Sequence, residues 1–182
     1  SAYEPRFAAV TLEDDGPALD ELRAKLDAHP PKLFYTVPNF QNPSGHSYSA
    51  AKRAAVGELC ATRPVVLIED DPYGELRFRG ATLPTLRQHC PQSVLLGSFS
   101  KIVAPGLRLG WICAPRRLMD LLVTAKQGVD LHSNYFSQRV VCQHLLDHDL
   151  DAHIAKIREL YGRQRDCMVA AIQRHLPADV KS

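Results

Sequence analysis

The chain has 182 residues, 45% of them hydrophobic and 23% charged, which suffices for one sizeable core. A net charge of +2, with both signs mixed along the chain, gives no basis for nucleic-acid or membrane binding by bulk electrostatics. Five widely spaced cysteines without a C-x-x-C pair argue against a disulfide framework or zinc knuckle, and fit reduced thiols in the cytoplasm. No apolar run approaches the about 20 residues that span a membrane, and Ser1-Ala2-Tyr3-Glu4-Pro5-Arg6 lacks a signal-peptide pattern.

In chain order, residues 7–10 form a short strand candidate. Residues 17–28 carry Leu19, Leu22 and Leu26 at helical spacing, with a proline near the first turn. Residues 32–37 are a strand rich in aromatic and branched side chains, and 39–45 a turn. Residues 49–62 predict a helix with Ala55 and Leu59 on one face. The apolar run 65–68 predicts a strand buried on both faces and ended by Glu69-Asp70-Asp71. Residues 94–96 repeat that pattern and end at Gly97-Ser98. A further strand at 109–114 precedes a helix at 115–126. From Ser133 onward the pattern is helical, with Asp151 able to cap a long helix whose apolar face includes Ile154, Ile157, Tyr161, Met168 and Ile172.

Strands alternating with helices predict an α/β fold with a mainly parallel sheet flanked by helices, followed by a long C-terminal helix. Ligands bind beyond the carboxyl ends of such strands. The chemically unusual residues sit at those ends: Asn42 after one strand, Asp70 after the next, Ser98 to Lys101 after a third.

The stretch Ser98-Phe99-Ser100-Lys101, with Arg108 seven residues on, sets one lysine beside two hydroxyls, glycines and a guanidinium. Such a lysine can form a Schiff base while its neighbours hold a phosphate, which is what pyridoxal 5'-phosphate (PLP) requires. Four segments together resemble the fold-type I PLP enzymes. Asn42-Pro43-Ser44-Gly45 resembles their N-P-[ST]-G turn, and Asp70-Asp71-Pro72-Tyr73 their D-x-x-Y segment. Ser98 to Lys101 resembles their lysine motif, and Arg108 in Pro105-Gly106-Leu107-Arg108-Leu109-Gly110 their phosphate arginine. Order and spacing resemble class I/II aminotransferases, most closely the α-aminoadipate and aromatic branch, over about residues 3–177.

The resemblance implies a role for each position. Lys101 would form the Schiff base and then shuttle a proton. Asp70 would face the pyridine nitrogen, and Asn42 and Tyr73 the ring oxygen. Ser98, Ser100 and Arg108 would hold the phosphate. It also implies amino-acid and 2-oxo-acid substrates and a cytoplasmic homodimer. Residues 1–150 would form part of the PLP-binding large domain, and 151–182 a helix toward a small domain outside the chain, so the chain is incomplete relative to the family. A second reading is the PLP-binding sensor domain of a MocR-type (GntR family) transcription regulator. A PLP lyase or decarboxylase would share the same cofactor residues. Asp71 is expected to be structural, and Trp111 to lie in the core. His144, His148 and His153 are expected to be solvated helix residues rather than a metal site. The cysteines are expected to be small core residues.

Overall fold

The computed structural model describes residues 4–177. The outer limits of both expected segments, residues 1 and 182, lie outside them.

Residues 7–10 do not form the expected strand, and Phe7 is 91% exposed. The backbone there meets side chains of a helix instead of another strand: Lys25 Nζ donates to the Ala9 carbonyl, and Thr11 N donates to Glu21 Oε2 at 2.9 Å. A two-residue hairpin follows, β1 (Leu12–Glu13) and β2 (Gly16–Pro17). Helix α1 (Leu19–Ala28) buries Leu22 and Leu26, two of the three leucines singled out by helical spacing; Leu19 is only partly buried. Helix α2 (Ala50–Ala61) is capped by Ser49, whose hydroxyl accepts from Lys52 N.

The central sheet runs β3 (Leu33–Thr36), β4 (Val66–Asp70), β5 (Val94–Ser98) and β6 (Gly110–Cys113), in that spatial order. The first three strands are mutually parallel, whereas β6 is antiparallel to β5. The C-terminal ends of β3, β4 and β5 therefore share one edge with the N-terminal end of β6. Close contact fits β6 into place. A Cβ on Gly97 would lie 2.1 Å from the Trp111 ring across the pair, so only glycine admits that ring. Trp111 lies against this strand 41% exposed, not in the core as expected.

One core cluster joins α1, α2 and the sheet through Leu22, Leu26, Val56, Leu59, Cys60, Leu67, Leu86 and Cys90. Each large apolar side chain buried there contributes about 1.5–3 kcal/mol. The cluster covers one face of β4, that of Leu67 and Glu69, while Val66, Ile68 and Asp70 are only partly buried. The expectation of two buried faces is thus corrected, because among the described residues helices pack on one side of this strand. Glu69 and Asp70 also continue the strand rather than end it. Strand alternation accounts for both carboxylates: Glu69 turns into the core and Asp70 to the open face.

Arg53 on α2 is fully buried. Its guanidinium donates to the carbonyls of Tyr48 (3.0 Å), Pro84 (3.0 Å) and Pro38 (2.8 Å) and to Asn39 Oδ1 (2.6 Å). One side chain thereby ties the loop after β3 to a loop after β4.

Helices α3 (Arg116–Asp130), α4 (Tyr135–Asp147) and α5 (Leu150–His175) complete the described residues. The cap of α5 is Asp149, whose side chain accepts from Ala152 N, not the expected Asp151, which stands in the first turn. Ile154 is buried, but Tyr161 and Met168 on the expected apolar face are 39% and 62% exposed. This helix crosses the loop after β4, where Arg158 Nε donates to the Glu75 carbonyl at 2.6 Å. Leu121, Val129, Phe136 and Leu146 on α3 and α4 are exposed. Cys60 and Cys90 are core residues as expected, whereas Cys113, Cys142 and Cys167 are exposed; all five are free thiols.

Replacing Arg53 by Met leaves four acceptors without their donor. A loss of about 3–5 kcal/mol is expected in urea denaturation. A change below about 1 kcal/mol would show the network to be dispensable.

Bonds from Lys25 and then from Thr11 N–H hold the Glu21 carboxyl down at about 2, against an ordinary 4.5. Because the folded-state value is depressed, its stabilisation is present above pH 4.5 and lost as pH falls toward 2. Glu21→Gln should lower the urea midpoint at neutral pH and flatten its decline across that acid window. An unchanged acid slope would refute this.

Candidate functional site

The shared sheet edge gathers most of the residues expected from the sequence. Asp70 is the last residue of β4 and Ser98 the last of β5. The register pairs Asp70 with Leu96, and Ser98 with Gly110. Ser98 thus stands beside the entry to β6, two residues after Arg108.

The segment after Ser98 is a tight turn. Ser98 Oγ accepts from Ser100 N at 3.1 Å, and the Phe99 carbonyl accepts from Val103 N at 2.9 Å and Ala104 N at 3.1 Å. Buried Ile102 anchors the turn and leaves Lys101 exposed beside it. Phe99 N donates to the Leu109 carbonyl at 3.1 Å, which lays this turn against the Arg108 segment. Arg108 follows the short helical turn Pro105–Leu107 in a left-handed conformation (φ 55°, ψ 40°). Its guanidinium is exposed and donates from Nη1 to the Pro105 carbonyl at 3.2 Å.

After β4, Asp71 N donates to the Leu96 carbonyl at 3.0 Å, and Asp71 Oδ1 accepts from Gly74 N at 2.8 Å. Asp71 spends its carboxylate on the turn, in keeping with its expected structural part. A Cβ on Gly74 would approach Asp71 Oδ2 to 2.3 Å and Asn39 Nδ2 to 2.8 Å, so a larger residue would push those side-chain ends aside. The turn presents Tyr73 to Lys101, whose Nζ lies 5.8 Å from the ring centroid, within cation–π range.

Asn42 is placed less firmly. It lies in the turn after β3, exposed, and among the described residues its side chain bonds none of the other six expected site residues. The turn itself is built, with Gln41 Oε1 accepting from Ser44 N at 3.0 Å and Gly45 in a left-handed conformation at φ 75°.

Three residues beside this edge were not singled out in the sequence. Tyr35 on β3 donates to Asp70 Oδ2 at 2.6 Å. Arg53 and Asn39 form the buried network beneath the loops, where Asn39 Oδ1 also accepts from Arg77 at 3.1 Å. A lone arginine among the apolar positions of α2 was the one available signal. Burial pushes the Arg53 pKa down and the Glu69 pKa up. Burial also pushes the Cys60 thiol up to about 12, which leaves it no nucleophilic role.

The three histidines are more closely gathered than their spacing suggests. The rings of His144 and His148 are 4.9 Å apart, and those of His144 and His153 6.1 Å. Among the described residues no group of three or more His, Cys, Asp and Glu could hold a metal ion.

A family model described as aminotransferase class I and II matches residues 4–181. The chain is 39% identical to aromatic-amino-acid aminotransferase 1 of Thermococcus litoralis over 98% of its own length and 45% of that protein. It is 35% identical to 2-aminoadipate transaminase of Thermus thermophilus, covering 97% of this chain and 46% of that one. The crystal structure of kynurenine aminotransferase from Pyrococcus horikoshii, in complex with PMP, superposes with a TM-score of 0.90 at 35% identity, over 98% of this chain and 46% of that chain. The chain belongs to the class I and II aminotransferase family, and it spans slightly less than half the length of these relatives.

Proposed function

We propose that this chain carries the lysine side of the cofactor site of a PLP-dependent aminotransferase. The supporting observation is the meeting of Asp70, Tyr73, Ser98, Lys101 and Arg108 at one sheet edge, held by bonds between the turns that bear them. The donor set fits PLP. It offers a carboxylate for a pyridine N–H, a primary amine for an aldehyde, and a guanidinium with two hydroxyls for a phosphate. Among the described residues Lys101 forms no hydrogen bond or ion pair, so its amine is not committed elsewhere.

When bound, PLP supplies an aldehyde that condenses with amines and a ring that accepts the electrons of a broken Cα–H bond. Asp70 keeps the ring nitrogen protonated by offering it a negative charge. Tyr73 and Asn42 would donate to the ring oxygen. Ser98, Ser100 and Arg108 fix the phosphate, which orients the whole group. Lys101 Nζ would serve as the general base and acid of the site, taking a proton from the substrate Cα and later giving it up.

The substrates under this reading are an amino acid and a 2-oxo acid. Names of the similar proteins point to aromatic amino acids, 2-aminoadipate and kynurenine as the first to try. Five free thiols favour a reducing compartment such as the cytoplasm. The exposed apolar residues of α3 and α4 leave surface for a second copy in a homodimer.

The test uses protein expressed from its complete reading frame and loaded with PLP. Adding these amino acids should bleach the visible cofactor absorbance, and a 2-oxo acid should restore it. Lys101→Ala should slow turnover about 10²–10⁴-fold through the lost proton transfer alone. No response to any amino acid, or undiminished turnover by Lys101→Ala, would overturn the proposal.

A further inference from the structure

The Tyr35 hydroxyl has a partner that its place in the fold does not demand. The ring is 57% exposed, so packing accounts for little of its presence. Register pairs Tyr35 with Ile68, which puts it on the same open face as Asp70, one diagonal step along the neighbouring strand. From there the hydroxyl donates to Asp70 Oδ2 at 2.6 Å, the length of a charge-assisted O–H···O⁻ bond. Among the described residues no other side chain or backbone group donates to that carboxylate.

A carboxylate at a strand end can rotate about its terminal torsion, which is broad and soft. A donor fixed on the adjacent strand removes that freedom. Resting on the PLP reading above, we infer that Tyr35 is a positioning residue for Asp70, holding Oδ2 so that Oδ1 is left for the pyridine N–H of the cofactor. Tyr35 acts through Asp70 and does not itself touch the reacting atoms. Partial burial of its hydroxyl, and then the bond to Asp70, push its pKa up to about 12, so it remains a donor at neutral pH.

Equilibrium dialysis of the complete protein against PLP, and against its 1-deaza analogue with carbon in place of the ring nitrogen, tests this directly. Tyr35→Phe keeps the ring and removes only the donor. It is expected to weaken PLP binding about 5- to 20-fold while changing the affinity for the deaza analogue less than about twofold. In an Asp70→Asn background, Tyr35→Phe should cost nothing further. Equal losses for both cofactors, or unchanged PLP affinity, would overturn the inference and leave the PLP reading intact. So would a Tyr35→Phe protein that loses its cooperative unfolding transition, because the hydroxyl would then serve the fold. A wild-type protein that binds no PLP would remove the PLP reading itself, and the inference with it.

Discussion

A single buried guanidinium holds the floor of the site. Arg53 leaves α2 and satisfies three backbone carbonyls and the Asn39 side chain, drawn from the loop after β3 and a loop after β4. A charge in that position is costly unless every hydrogen bond is made, so the loops cannot drift without stranding it. The turn after β3 and the segment after β4 are thereby tied to the helical layer. Arg77 adds a second donor to Asn39 and stacks 4.5 Å from the Phe40 ring.

Above that floor, strand polarity does the gathering. Three parallel strands deliver their C-terminal ends to one edge, and the reversed β6 delivers its beginning there. This is why residues as distant in sequence as Asp70 and Arg108 come to one place. The reversal relies on a close approach, with Gly97 bare beneath the indole of Trp111. The same pleat separates the two neighbouring carboxylates of β4, one structural and buried, one facing outward.

Much of this was legible in the sequence. The four strands of the central sheet, the helices and the lysine, arginine and D-x-x-Y segments follow from period, punctuation and motif, because those depend on local spacing. What was not legible depends on register and pairing. Tyr35 meets Asp70 only through the alignment of β3 with β4, which no local pattern encodes. The direction of β6 is likewise set by its partner. The run at residues 7–10 carries strand-like side chains but finds no strand to pair with among the described residues, so propensity alone misleads. Trp111 was expected in the core, yet edge position governs its exposure.

The measurement that bears most directly on these relations is a crystal structure of the complete protein grown with PLP. The expected result is the cofactor at this sheet edge, joined to Lys101 Nζ, its ring nitrogen within hydrogen-bond reach of Asp70 and its phosphate against Ser98, Ser100 and Arg108. A cofactor seated elsewhere, or seated here with Lys101 unattached and Asp70 turned away, would contradict the assignment of the site.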